Sequence, residues 1–410
     1  MNQTIRQHIQ EQVAALPHSP GVYQFIDRNN TIIYVGKAKD LRKRVSSYFV
    51  ENRDHSAKVI VLVRQIVDIR HIVVDSEQDA LLLENSLIKK LQPRYNILLK
   101  DPTKPMLNRA TQSSYPPGST FKTVQALIGL QMGVITPHTQ YACSGQRSTP
   151  IKCTHSHGSP VALEEAIEQS CNPYFWCLYR DMLHPSKNNN TDLFKQKYNE
   201  WRNYVLQFGF AQKFQNTDIG TQVSGGVPEQ KFFDRIYGKK GWRALTIRSL
   251  SIGQGEIGAT PLQLANQMAA IANGGYYITP HLNKHDSMQL HKHQIDIDAK
   301  YFDVVKKGMH RVMTNGTGRY YLIDGIEVAG KTGTAENPHG KDHAVFIGYA
   351  PLENPQIAIA VVVENAGFGA TWAAPIASLM IEQYLTGEIK RKDLKNRIAN
   401  AVINESVKIW

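Results

Sequence analysis

Nowhere in its 410 residues does this sequence hold the roughly 18 uninterrupted apolar residues that a membrane-spanning helix needs. The first fifteen residues include Arg6, His8 and Glu11 and no apolar stretch. They read as neither a signal peptide nor an anchor, so the chain as written is expected in the cytoplasm. Cysteine is scarce: Cys143, Cys153, Cys171 and Cys177 are all there is, which excludes a scaffold built on disulfides. Low-complexity tracts and internal repeats are absent too. Acid is short relative to base. The net charge is +12, with its densest share in the first hundred residues. Such a surplus fits a polyanion such as DNA or an anionic envelope surface and does not choose between them.

The length predicts two or three domains, and the local patterns change character near Asp101. Gly21–Phe25 and Thr31–Gly36 are β-rich runs around a turn at Asp27–Asn30, a hairpin signal. Asp40 is placed to cap a helix over Leu41–Phe49. A second helix is predicted over Ala57–Val67 and a third strand over Ile69–Val74. Ser76 and Asp79 then open a periodic helix, Ala80–Leu91, stopped by Pro93. Pro102, Pro105, Pro116, Pro117 and Gly118 break residues 101–118 into a linker. Helices are predicted over Ser119–Met132, Leu163–Gln169, Tyr174–Met182 and Pro261–Ala272. Val328–Gly333, Ala344–Ala350 and Ile357–Val363 read as a strand meander, closed by a helix over Trp372–Leu385.

The early hairpin carries Gly21-Val22-Tyr23 and Tyr34-Val35-Gly36-Lys37. Leu41-Arg42-Lys43-Arg44, Leu81-Leu82-Leu83-Glu84-Asn85 and Lys89 through Asn96 follow. Cutting a phosphodiester needs an activated water and charge to neutralise the phosphate. Glu84 lies among Leu81–Leu83, Leu87 and Ile88, where a carboxylate is costly unless paired or holding a metal. One carboxylate suffices for a hard ion that keeps its waters. Arg44 can fork onto a phosphate, and Tyr34 can act as acid/base or orient the water. Lys39 reads more simply as part of a solvated face. This ordered set resembles the GIY-YIG nuclease domain of the UvrC excinuclease subunit. The resemblance implies a small α/β domain with a three-stranded antiparallel sheet over residues 1–100. It makes Glu84 the ligand of Mg²⁺ or Mn²⁺ and Arg44 the phosphate clamp, with Tyr23, Tyr34, Lys37 and Asn96 completing the site. DNA and excision-repair proteins are the implied partners.

In the later part, Ser119 and Lys122 stand one helical turn apart, a spacing that suits a serine nucleophile with a lysine base. Ser86 and Lys89 share that spacing, but Pro116-Pro117-Gly118 sets Ser119 at a helix start, where free N–H groups can face an oxyanion. Ser170-Cys171-Asn172 and Lys331-Thr332-Gly333-Thr334 follow in order. With Asn108–Ala110, Ser251–Gly255 and Ala259–Gln263, they resemble the transpeptidase domain of a class B penicillin-binding protein over residues 102–388. The implied fold is an antiparallel sheet flanked by helices, plus a helical subdomain. The implied chemistry is D,D-transpeptidation on peptidoglycan stem peptides through a serine acyl-enzyme, with β-lactams as suicide ligands and no cofactor. Ser119 attacks, Lys122 takes its proton, and Ser170 relays a proton to the leaving amine. Asn172 holds the substrate amide. Lys331 supplies positive potential, Thr332 and Thr334 bind the terminal carboxylate beside Gly333, and the backbone N–H groups of Ser119 and Thr334 form the oxyanion hole.

Cys143, Cys153, His155 and His157 invite a zinc reading, but their spacing matches no common zinc pattern, and a polar loop is expected. Residues 389–410 read as a basic tail. The whole is an α+β chain in which a nuclease module is fused to a transpeptidase module near Lys100-Asp101-Pro102-Thr103. The alternative is a non-catalytic composite with at most one active half. The transpeptidase family places about two strands before its nucleophile helix, where this sequence has nuclease text. The far edge of Ile357–Val363 is therefore expected either open or covered by a segment of residues 1–118.

Overall fold

Alternating apolar residues and the turn at Asp27–Asn30 give the first hairpin. Strands β1 (Gly21–Ile26) and β2 (Ile32–Ala38) pair antiparallel, with a register shift at Phe25/Ile26. Strand β3 (Asp68–Val73) pairs with the other side of β1, giving the order β2-β1-β3. This is the three-stranded sheet expected from the sequence. Helix α1 (Gln3–Ala15), which the polar opening residues had concealed, precedes it. Helix α2 (Leu41–Ser46) starts where Asp40 accepts the Lys43 N–H at 2.9 Å, and it stops short of Phe49. Helices α3 (Ala57–Gln65) and α4 (Glu77–Leu91) also belong to this unit, α4 opening on the Ser76 hydroxyl that accepts the Asp79 N–H. Phe25, Ile33, Leu41, Val45, Leu62 and Ile66 form its core on one face of the sheet. Val22 and Val35 meet Ala80 of α4 on the other.

The computed structural model describes residues 3–50, 57–91, 93–96, 107–184, 190–283, 291–337, 340–401 and 403. It divides into two compact units, Met1–Leu107 and Asn108–Trp410. Gln92 and the junction at Lys100–Thr103 lie outside the described residues.

In the second unit a single turn, α5 (Arg109–Gln112), interrupts the predicted linker. The nucleophile segment begins as a 3-10 turn over Gly118–Phe121 before α6 (Lys122–Gln131), which is buried on every side from Lys122 to Leu130. A helix with no polar face belongs at the centre of a core, and α6 is packed there with Phe175, Leu178 and Trp201. Helices α7 (Leu163–Glu168), α8 (Asn172–Leu183), α9 (Thr191–Gln207) and α10 (Gln230–Tyr237) build the helical layer around it. Helix α11 (Pro261–Ala272) starts in a capping box between Thr260 and Gln263 with proline in its first turn, which accounts for the Ala-Thr-Pro-Leu-Gln run. The short pair β4 (Tyr276–Ile278) and β5 (Lys292–Gln294) and helix α12 (Ala299–Thr314) lead to the main sheet.

That sheet is β6 (Ala329–Ala335), β7 (His343–Ala350) and β8 (Ile357–Val363), antiparallel in the order β6-β7-β8. Its inner face packs on the α6–α11 core through Val345, Ile347 and Tyr349. The opposite face packs on α13 (Ala373–Thr386) through Ala344, Phe346 and Ala350. Of the two outcomes expected for β8, the structure has the open one: among the described residues no strand pairs with its far edge. Helix α14 (Lys392–Ala399) gives the predicted basic tail an element of its own.

Candidate functional site

Each unit gathers a site. In the first, the pairing Phe25↔Tyr34 and Tyr23↔Gly36 puts Tyr23 and Tyr34 on one face of the hairpin, with ring centroids 6.1 Å apart. Glycine is required at 36, because a Cβ there would lie 2.5 Å from the Tyr23 ring and hydroxyl. Tyr48, which the sequence reading passed over, joins them. Its hydroxyl is 2.9 Å from the Tyr23 hydroxyl and accepts from Arg44 Nη2 at 3.5 Å. The guanidinium lies 5.4 Å from the Tyr48 ring centroid. Burial pushes the Tyr23 and Tyr34 hydroxyls well above the usual tyrosine range, so both keep their protons at neutral pH. Arg44 also borders a shallow cationic hollow of about 410 Å³ with Lys37, Lys39 and Lys43.

The other predicted residues of this unit line the free edge of β2. Asn96 is buried and exchanges both hydrogen bonds with Val35, accepting from its N–H at 2.6 Å and donating to its carbonyl at 2.7 Å. Its amide covers the strand edge beside Tyr34. Glu84 Oε1 accepts the Lys37 backbone N–H at 3.2 Å, while the Lys37 ammonium reaches Glu77 at 3.4 Å. Among the described residues no cation pairs with Glu84. It is half-buried beside Leu83, Leu87 and Ile88, and a carboxylate so placed, with an oxygen to spare, fits a hard divalent ion that keeps its waters.

In the second unit Gly118 holds the nucleophile turn against the sheet. Its φ is +56°, and a Cβ there would come 2.3 Å from the Thr334 carbonyl oxygen and 3.3 Å from the Thr334 nitrogen. The Gly118 N–H donates to the Gly253 carbonyl at 2.8 Å. The adjacent Gln254 donates to the Thr334 carbonyl at 2.8 Å and accepts from the Glu336 N–H. The Ser-Ile-Gly-Gln-Gly run is thus the clamp that fixes Ser119 relative to the end of β6. Ser119 stays half-buried at the mouth of a cleft of about 190 Å³, also lined by Ser170, Asn172, Thr332 and Thr334. His155, Thr317 and Phe368 line the same cleft, and no motif had announced them.

The electrostatic centre of this cleft is Lys122. Its Nζ donates to the Ser170 carbonyl at 2.7 Å and to Asn172 Oδ1 at 2.6 Å, and lies 3.1 Å from Ser170 Oγ. Burial pulls its pKa down to about 7. Neutral, the amine spends its two N–H groups on the two carbonyl-type acceptors, which leaves its lone pair to a hydroxyl. Lys331 is fully buried on β6 and donates to the Thr332 carbonyl at 3.0 Å. Burial and the neighbouring Lys122 charge push its pKa well down, so it is poised to regain its charge beside an anion. The Thr332 hydroxyl pairs with Thr317 at 2.6 Å. Asn172 turns its Nδ2 away to the Lys152 carbonyl at 2.9 Å. Asn172 thus also holds Lys122 in place.

The loop expected around Cys153 is there, and it brings cysteines together. Cys143, Cys153, His157 and Cys171 bring one ligand atom each within 4.8 Å of one another, while His155 is not in the group. Ile151–Pro160 is irregular loop, and spacing along it could not reveal Cys171, which comes from the start of α8. Cys171 sits between Ser170 and Asn172, and Cys153 follows the carbonyl that Asn172 binds. Hydrogen bonds from Cys171, from the His155 N–H and from the His157 ring pull the Cys153 thiol down toward thiolate. Three sulfurs and an imidazole so arranged are a donor set for a soft tetrahedral ion.

Comparison with known proteins finds two families along the chain. The penicillin binding protein transpeptidase domain family matches residues 72–382, and the UvrC-like GIY-YIG domain family matches residues 19–97. The two matches overlap over residues 72–97, a stretch in which α4 is packed against β1 and β2 of the first unit. The peptidoglycan D,D-transpeptidase MrdA of Haemophilus influenzae is 30% identical over 336 residues, covering 74% of this chain and 49% of that protein. The UvrABC system protein C of Flavobacterium johnsoniae is 63% identical over 90 residues, 22% of this chain and 15% of that one. The chain thus spans about half, or much less, of the curated relatives it matches. Among solved structures, Pseudomonas aeruginosa PBP2 in complex with WCK 5153 superposes with a TM-score of 0.60 at 27% identity, covering 95% of this chain and 76% of that one.

Proposed function

From the premise that this chain belongs to the penicillin-binding protein transpeptidase family and also carries a UvrC-like GIY-YIG domain, we propose that it joins a serine acyl-transferase acting on D,D-peptides to a metal-dependent DNA endonuclease. The observation that carries the first activity is Lys122, fully buried and held by two acceptors, where burial pulls its pKa down to about 7. Ser119 Oγ attacks the peptide or lactam carbonyl and Lys122 takes its proton. The tetrahedral oxyanion lies against the N–H groups of Ser119 and Thr334. On collapse the C–N bond breaks, and Ser170 passes the proton from Lys122 to the leaving nitrogen. Lys331, Thr332 and Thr334 hold the terminal carboxylate beside Gly333. An acceptor amine then displaces Ser119 from the ester.

Acylation by penicillin should accordingly rise with pH through about 7 and level off above it, since only the neutral Lys122 accepts a proton. The sign for stability is the same. An unfolded lysine stays protonated up to about pH 10.4, so the lowered native pKa costs stability increasingly as pH falls through that window. Stopped-flow acylation across the range checks this, and a flat profile from pH 6 to 9 would remove Lys122 as the base.

For the nuclease module, the carrying observation is Glu84, an unneutralised carboxylate at the β2 edge. A divalent ion bound there would supply charge neutralisation at the phosphate. Arg44 grips the phosphate, Tyr34 keeps its proton and orients the attacking water, and Tyr23 with Tyr48 holds Arg44 in place.

The Cys/His group is assigned here to structural zinc. Purified chain is expected to carry one zinc per molecule, and Cys143→Ser to lose it. Acylation of Ser119 should then fall by about tenfold or more, as outer-sphere losses at metal sites commonly do, because Ser170 and Asn172 flank a ligand. Metal analysis finding no zinc, with no gain in melting temperature on adding it, would discard the assignment.

A further inference from the structure

The segment between α10 and the 3-10 turn at Arg248–Ile252 has no part in either site, yet it is built with care. Phe233 and Trp242 are fully buried with ring centroids 5.1 Å apart. The Trp242 indole N–H and the Lys195 ammonium both donate to Asp234, at 2.8 and 2.7 Å. Between these anchors the chain makes a turn closed by the Gly241 N–H on the Gly238 carbonyl at 3.0 Å. Arg243 braces it from behind through the Lys240 carbonyl and the Thr191 hydroxyl.

What the anchored turn presents is apolar and basic together. Ile236, Tyr237 and Leu245 are 52%, 42% and 54% exposed. Arg235, Lys239, Lys240 and Arg248 are exposed among them. Asp234 is the sole carboxylate between Gln230 and Gly255, and its charge is already matched by Lys195. A nucleic acid would reward the cations and leave the aliphatic side chains in water. Aliphatic and tyrosine side chains interleaved with lysine and arginine are instead what an interfacial element uses, apolar parts entering the headgroup boundary while the cations meet anionic lipid.

We propose that the Arg235–Arg248 turn is a docking surface for an anionic lipid bilayer, one that holds the second unit against a membrane without crossing it. No helix among the described residues is long and apolar enough to cross a membrane, so contact of this kind would lie along the surface.

The test is co-sedimentation of the full chain with vesicles of phosphatidylglycerol and phosphatidylcholine in equal parts, and of phosphatidylcholine alone. The chain should partition onto the anionic vesicles and not onto the neutral ones. Lys239→Glu with Lys240→Glu should lower that partition by about tenfold or more. Ile236→Asn with Leu245→Asn should lower it about fivefold or more, with a residue that salt removes. All four positions are exposed, and unchanged melting temperatures would verify the fold of both variants. No partition of the parent chain, or equal partition of parent and both variants, would overturn the proposal. So would loss confined to the lysine variant, which would make the turn a general polyanion site.

Discussion

Ser119→Ala should take up no penicillin. Intact-mass analysis of the parent chain should show one covalent adduct, and the variant none, a loss of at least about a thousandfold in acylation. The expectation rests on the position of Ser119: the preceding Gly118 lies against Thr334, with Gly253 holding the Gly118 N–H and Gln254 the Thr334 carbonyl. Ser86 has a lysine at the same spacing, but it belongs to α4 of the other unit, so Ser86→Ala should label like the parent. An adduct that survives in Ser119→Ala would refute the nucleophile. If the parent takes no adduct while nicking DNA, the composite reading with one active half replaces the present one.

Glu84→Gln should abolish nicking of DNA in Mg²⁺ or Mn²⁺, by about a hundredfold or more, while leaving penicillin acylation untouched. The amide keeps the hydrogen bond to the Lys37 N–H and so preserves the β2 edge; what goes is the charge. Arg44→Ala should slow cutting strongly by removing the phosphate clamp. Plasmid relaxation with each variant reads this directly, and full activity in Glu84→Gln would end the metal assignment. Asn96→Ala serves as the contrast. It should lower the melting temperature, because two buried backbone groups of Val35 lose their partners.

The sequence revealed chemistry that sits close together along the chain and missed what distant segments assemble. Ser119 and Lys122 lie one turn apart, and Tyr23 and Tyr34 on paired strands, so short spacings announced them. The bounds of α11 and β8 were also legible, since Thr260-Pro261 and an uninterrupted Ile-Ala-Val run are strong local signals. Tyr48 was lost because an aromatic near a short helix reads as packing. The Cys/His group was not legible because Cys171 arrives from a separate element, while His155, near Cys153 and His157 in the sequence, lines the cleft of Ser119 instead. The hydrogen bonds of Asn172 to Lys122 and of Asn96 to Val35 were not legible, because each joins segments far apart in the sequence. Helix α1 stayed hidden because Gln3–Ala15 is largely polar and exposed.

Strand β8 carries neither charge nor proline, and its pairing with β7 runs in step without a bulge. Among the described residues one row of its peptide groups therefore has no strand partner, in a register any extended chain could copy. Folding of this unit thus becomes a contest between order within a molecule and order between molecules. The first is independent of how many copies are present, and the second grows with their number. The ratio of the two is set by crowding during synthesis instead of by the stability of the finished fold, so dilution protects this sheet in a way that no added core contact would.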